Sequence, residues 1–262
     1  MIIFYMGKFN VLLTNDDGFY AEGLQTLYSH IKEIADVAIV APDQERSATG
    51  HGITMQQPLR ASQISGNNFQ WMVNGTPADC VKLALEHLLK DRLPHLIISG
   101  INRGPNLGSD ILYSGTVSAA LEGSFYKVPS IAVSLAGFSG LDFNPAAAFI
   151  GRNLLELKNL ALYATLNLNF PVTDSATEYK GALLTKLGIR TYQNVIAERQ
   201  DPRGQIYFWM GGEPVNLNQE PDSDIKAIDD GYVSITPLHS DLTDYGFLEK
   251  HSSHSINLSF NK

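Results

Sequence analysis

The sequence predicts an α/β protein with a doubly wound, mostly parallel sheet and a β-rich arm at the C-terminal end, and three observations predict it. Continuous apolar runs such as Val11-Leu12-Leu13 and Leu96-Ile97-Ile98 read as strands buried on both faces. After the first of them, Ala21 to Ile34 sets Leu24, Leu27, Ile31 and Ile34 at the spacing of a helix with one apolar stripe, and Asp36 to Ala41 reads as a second strand. A strand, helix and strand of these lengths form a right-handed crossover of the Rossmann-like kind. From Thr191 the character changes: Arg199 to Gly204 and Gly211 to Asp224 are rich in turn residues and charge, and the apolar stretches Ile206 to Met210 and Tyr232 to Ile235 are short. The expected division is an α/β core over residues 9–190 and an arm of hairpins over 191–262. Such an arm finds its core on another subunit, which predicts a homo-oligomer.

The remaining elements follow in order. Pro42 ends the second strand and opens a polar loop, Asp43 to Gly52. Ile53 to Ile64 and Phe69 to Val73 alternate loosely around Ser65-Gly66-Asn67-Asn68, which reads as a β excursion closed by a turn. Thr76 is placed to cap a helix that has Pro77 at its first position and runs to about Lys90, with Val81, Leu85, Leu88 and Leu89 inward. His95 to Ser99 is a strand. The glycine-studded segment Gly100 to Thr116 follows as a long loop, then a helix from Val117 to Tyr126. Ser130 to Leu135 is another buried strand, Asn144-Pro145 opens a helix to about Leu160, and Leu166 to Phe170 and Gly181 to Leu187 add strands.

Composition narrows the chemistry. Across 262 residues the formal charge is -8, which argues against a broad basic footprint for nucleic-acid polymers or anionic membrane. A small phosphorylated substrate stays open, because a bound cation reverses the local field inside an acidic protein. The single cysteine, Cys80, permits no intramolecular disulfide and fits a reducing, cytoplasmic compartment. It sits in an apolar helical pattern, as a structural thiol does. Met1 to Asn10 has too short an apolar run for a secretory signal, and no stretch reaches the length of a membrane span. The first turn lacks Gly-x-Gly-x-x-Gly, and no Lys follows the later glycines as a Walker loop requires.

The candidate site begins where the first apolar run ends, at Asn15-Asp16-Asp17-Gly18. In an open α/β sheet, ligands collect outside the carboxyl ends of the strands. Gly18 permits the turn that brings Asp16 and Asp17 to one point, and two carboxylates held that close repel each other unless a cation joins them. A hard divalent metal is the simplest occupant, although the tetrapeptide alone is also good turn chemistry. In the next loop Ser47 can give a hydroxyl to that metal and Arg46 a charge to a phosphate. The plainer reading is a surface loop with Arg46 paired to Asp43 or Glu45. Asn102 and Asn106 offer amides where glycines let backbone approach a ligand. Ser114-Gly115-Thr116 opens a helix whose first-turn N–H groups are placed to meet phosphate, unless Ser114 or Thr116 acts only as a cap.

Four stretches together resemble the SurE family of stationary-phase survival proteins, metal-dependent nucleoside monophosphate phosphatases. They are Leu12 to Gly18, Ala41 to Ser47, Gly75 to Val81, and Ser99 to Thr116 with Gly-Pro-Asn-Leu-Gly inside it; Gly231 to Leu238 resembles the family's C-terminal region. The likeness runs from about Asn10 to Asp241, with Glu22 standing where a proline is common. It implies that Asp16, Asp17, Ser47 and Asn102 bind one divalent metal per subunit, Mg²⁺ or Mn²⁺, with Asp16 and Asp17 the catalytic pair. It implies that Asn106, Ser114, Gly115 and Thr116 lie against the substrate phosphate. The expected reaction is hydrolysis of nucleoside 5′- and 3′-monophosphates by in-line attack of a metal-activated water, in a homodimer or homotetramer. Two competitors stay open: a phosphatase with a covalent aspartyl-phosphate, against which the absence of Asp-x-Asp at Asp16 counts, and a non-catalytic, metal-dependent nucleotide sensor.

Overall fold

The structure, a computed structural model, describes residues 9–173, 179–215 and 219–251; Met1 to Lys8, read above for a leader, and the last residues of the arm region lie outside these. In chain order the strands are β1 (Asn10–Thr14), β2 (Asp36–Pro42), β3 (Ala61–Gln63), β4 (Gln70–Val73), β5 (Leu96–Arg103), β6 (Ser130–Leu135), β7 (Thr165–Phe170), β8 (Ala182–Leu184), β9 (Thr191–Gln193), β10 (Ile196–Gln200), β11 (Ile206–Met210), β12 (Glu213–Val215) and β13 (Val233–Leu238). The helices are α1 (Glu22–Ile31), α2 (Pro77–Leu83), α3 (Gly115–Phe125), α4 (Asn144–Arg152), α5 (Leu154–Leu160), α6 (Asp224–Asp229) and α7 (Tyr245–His251).

Nine strands form one sheet in the order β3-β4-β2-β1-β5-β6-β7-β13-β8. Only the β3–β4 and β7–β13 pairings are antiparallel; the other neighbours run parallel, as buried apolar runs predict. Leu13, Ile98, Val133 and Leu168 pack on one face with α1, α4 and α5, through Leu24, Leu27, Ile150 and Leu157. Leu12, Val40 and Ile97 pack on the other with α2 and α3, through Val81 and Ala119. Cys80 lies in that second layer, fully buried as a free thiol. Thr76 caps α2 by accepting from the Asp79 N–H, and Asp79 accepts in return from the Thr76 N–H, with Pro77 at the first helical position.

The strand expected over Ile53 to Ile64 is only β3, the helix expected to about Lys90 ends as α-helix at Leu83 and continues as a π-helical turn, Ala84–Leu88, and the strand expected over Gly181 to Leu187 is only β8. Three further elements differ for identifiable physical reasons. β5 does not stop at Ser99 but continues to Arg103 across a register shift, so the glycine-rich loop begins only at Gly104. Gly100 makes this possible: its φ is +142°, and a Cβ there would stand 2.3 Å from the Val133 carbonyl oxygen. The helix expected from Asn144 to Leu160 breaks at Asn153, whose side-chain Nδ2 donates to the Phe149 carbonyl at 2.8 Å. Tyr232 to Ile235, read as part of the appendage, opens β13, which enters the main sheet between β7 and β8. The shortness of its apolar stretch hid this: Ser234 and Thr236 are buried too, on the face where β7 carries Asn167 and Asn169.

The other strands among the described arm residues form two antiparallel pairs, β9 with β12 and β10 with β11. Ile196, Ile206, Phe208, Trp209 and Met210 are all exposed on this chain.

Candidate active site

β1 and β5 deliver the acidic turn and Asn102 to the same sheet edge, where an open cavity of about 630 Å³ gathers Asp16, Asp17, Ser47, Asn102, Asn106 and Ser114. The turn after β1 is built as the sequence implies. Asn15 Nδ2 donates to the Gly18 carbonyl at 2.8 Å, and Gly18 has a φ of +102°. The Arg46 N–H donates to the Asp16 carbonyl at 2.7 Å, which holds the Ser47 loop beside the turn.

Asp16 is 4% exposed, and its Oδ1 accepts a 2.5 Å hydrogen bond from the Thr116 hydroxyl. Burial pushes its carboxyl up to about 6; the Thr116 bond opposes the shift and the neighbouring Asp17 charge adds to it. Burial also raises Asp17, against a 3.2 Å bond from the Arg103 N–H and with added repulsion from Glu45. Ser47 donates its hydroxyl proton to Glu45 Oε1 at 2.7 Å, so its oxygen keeps lone pairs for a ligand. Asn102 commits its NH₂ to the Gly104 carbonyl at 2.9 Å, leaving Oδ1 as acceptor. Asn106 donates from Nδ2 to Ser134 Oγ at 2.7 Å.

Of the helix-start residues, only Ser114 lines the cavity; its hydroxyl caps α3 by accepting from the Val117 N–H at 3.1 Å. Gly115 and Thr116 pack against Asp16. A Cβ on Gly115 would meet Asp16 Cβ at 2.8 Å and Oδ2 at 3.0 Å, and the Thr116 hydroxyl is spent on Asp16. Arg46 turns to Asp43 at 3.3 Å and to the Asn74 carbonyl, the plainer of its two readings.

The sequence reading missed Glu45 as a cavity residue, along with Phe138 and Tyr113, which are 72% and 68% exposed in its lining. Glu45 and Tyr113 lay inside segments already singled out. Phe138 sits in a plain Gly-Phe-Ser-Gly turn with no distinguishing pattern.

The donor set is all oxygen: two carboxylates, a hydroxyl and an amide. Among the described residues no group of three or more His, Cys, Asp and Glu gathers in a metal-binding arrangement. Two desolvated acids with raised affinity for protons have the electrostatic need that a hard cation meets, and the oxygen donors suit Mg²⁺ or Mn²⁺ better than zinc.

Fold and site together define a doubly wound α/β protein with an acidic, oxygen-lined cavity at the carboxyl edge of its sheet. The family profile described as survival protein SurE matches residues 11–194, and the chain belongs to the SurE family. It is 48% identical over 246 residues to the 5′-nucleotidase SurE of Alkaliphilus metalliredigens, covering 92% of this chain and 96% of that one. It is 51% identical over 245 residues to the 5′-nucleotidase SurE of Moorella thermoacetica, covering 92% and 94%. The crystal structure of the SurE protein from Aquifex aeolicus superposes with a TM-score of 0.81 at 38% identity, over 92% of this chain and 97% of that one.

Proposed function

We propose that this chain is a metal-dependent 5′-nucleotidase, acting also on 3′-monophosphates, that releases inorganic phosphate from nucleoside monophosphates in the cytoplasm. The observation that carries the reading is the gathering of Asp16 and Asp17 with the oxygen donors of Ser47 and Asn102 in one cavity lining, with both carboxylates desolvated. The nucleotidase names of relatives at about half identity support the substrate class. Asp16, Asp17, Ser47 and Asn102 would hold the cation, Mg²⁺ or Mn²⁺. Bound there, the ion supplies Lewis acidity toward a phosphate oxygen and lowers the pKa of a water.

The chain's own groups do the positioning. Thr116 orients the Asp16 carboxylate from behind. The Asn106 Nδ2 has a second hydrogen beyond the one given to Ser134, available to a phosphate oxygen on which charge develops. Tyr113 and Phe138 offer exposed ring faces to a nucleobase. Among the described residues no helix is long and apolar enough to cross a membrane. The test is phosphate release from 5′- and 3′-nucleoside monophosphates with Mn²⁺, with Mg²⁺ and after EDTA. Release that EDTA abolishes is expected. Nucleotide binding by folded protein without release under any metal would point to a sensor instead.

The same reading makes the arm an assembly element in a homodimer or homotetramer. β10 and β11 expose Ile196, Phe208 and Trp209, side chains that gain stability only by leaving water. Trp209→Asp is expected to lower the mass measured by sedimentation from the oligomer toward a smaller species; an unchanged mass rejects this role for the hairpin.

A further inference from the structure

β7 reads Thr-Leu-Asn-Leu-Asn-Phe and lies in the interior of the sheet between β6 and β13. Alternation sends Leu166, Leu168 and Phe170 into the main core and puts Asn167 and Asn169 on the opposite face, each fully buried. Asparagine is a poor strand residue, and buried amides demand partners. Both of these amides spend their bonds on a single residue 61 to 63 positions away.

That residue is Asn106. Its N–H donates to Asn169 Oδ1 at 2.8 Å, and its carbonyl accepts from Asn169 Nδ2 at 2.9 Å and from Asn167 Nδ2 at 2.8 Å. Its side chain donates to Ser134, which pairs with Asn169 across the β6–β7 ladder. One side-chain amide therefore grips the backbone on both sides of Asn106, much as a neighbouring strand would. Asn106 lies outside any strand, yet the sheet fixes its backbone and its amide.

The orientation of Asn167 adds a second observation. Its Oδ1 is buried without a hydrogen-bond partner among the described residues, so the side chain keeps its donor on Asn106 while its acceptor goes unmet. Turning the amide over would set two oxygens against each other. A purely structural filler at this position has no need of that imbalance, and an apolar side chain would avoid it.

Resting on the nucleotidase reading, we infer that Asn169 and Asn167 are positioning residues that act through Asn106, holding its amide preorganised for the phosphoryl oxygens. The benefit is a donor that does not have to be ordered during the reaction.

The experiment is a double-mutant cycle on Asn106→Ala and Asn169→Ala, read by turnover of a nucleoside monophosphate and by inhibition with inorganic phosphate. Mn²⁺ affinity is measured separately by calorimetry without nucleotide. Asn169→Ala is expected to lower kcat and to raise the phosphate inhibition constant by about tenfold each, with Mn²⁺ affinity within about twofold of wild type. In the Asn106→Ala background the same change should add almost nothing. Multiplying effects in the cycle overturn the inference, as does a phosphate constant that rises only in step with losses of metal affinity and melting temperature. Ser134→Ala guards against misfolding of Asn169→Ala, since it removes only the acceptor for the Asn106 side chain. It is expected to weaken phosphate inhibition in the same direction, and an unchanged constant counts against the inference. If wild type releases no phosphate, the nucleotidase reading fails; if wild type turns over and the cycle is additive, only the positioning role fails.

Discussion

Asp16→Asn is expected to abolish turnover and, in the metal-free protein at neutral pH, to raise the melting temperature. Both effects have one cause. In the unfolded chain the carboxyl titrates near its ordinary 3.8, and in the fold burial pushes it up to about 6. A raised acid favours the fold while it is protonated. The contribution is fully present below about pH 3.8 and is lost as pH rises through about 6, a difference of about 3 kcal/mol by pH 7.5. Asparagine keeps the shape and still accepts from Thr116, but it has no charge to desolvate. A gain of roughly 5–10 °C is expected for the metal-free variant at pH 7.5 and little gain at pH 4. Mn²⁺ should stabilise wild type at pH 7.5, less so at pH 5, and should leave the variant almost unmoved. Turnover should fall by at least about a hundredfold to a thousandfold, the scale of losing one preorganised charge-stabilising group. Retained activity would remove Asp16 from the site, and equal melting temperatures would remove the strain. This is the familiar opposition between a working site and a stable fold.

Gly23→Ala is expected to act through packing. Gly23 lies in α1 against β5, and a Cβ there would stand 2.0 Å from the Ile101 carbonyl oxygen and 3.1 Å from the Phe143 ring. Alanine is the better helix former by about 1 kcal/mol, but the obstacle is strand backbone, which cannot rotate aside. Overpacking of roughly 3 kcal/mol should lower the melting temperature by about 5–10 °C. Activity should fall as well, because Ile101 immediately precedes Asn102 at the cavity. Gly151→Ala is the control. It also lies in a helix, its nearest new neighbour is the His30 carbonyl oxygen at 3.6 Å, and a small gain in stability is expected. Equal melting behaviour of the two variants would show that the close approach of α1 to β5 is soft.

Much of the fold was legible because local pattern and buried environment agree. Ser130 to Leu135 was read residue for residue, and the Thr76 cap was recognisable from Thr-Pro-Ala-Asp alone. The turn after β1 was legible as turn chemistry, with Asn15 bonding the Gly18 carbonyl and Gly18 at positive φ; Asn-Asp-Asp-Gly alone does not distinguish a ligand site from a plain turn. What escaped the reading depends on partners far along the chain. The bond of the Thr116 hydroxyl to Asp16, 100 residues away, has no local sequence signal. β13 looked peripheral because its apolar stretch is short and is interrupted by Ser234 and Thr236, which lie buried opposite Asn169 and Asn167. Asn102 was placed in a loop because glycine usually ends a strand; here Gly100 lets the strand bend and continue.

The position of β13 also has a consequence for how the molecule is made. During synthesis the chain emerges from its N-terminus, and β1 through β7 can assemble as soon as each crossover helix is complete. The neighbour of β7, however, pairs Ser234 with Asn169, so the sheet stays open on that side until the arm has been translated through Leu238. Until then the β7 edge offers unpaired N–H and C=O groups to any passing strand. Contacts of such long sequence separation form late and slowly, and a nascent chain stalled within the arm is the species most exposed to aggregation.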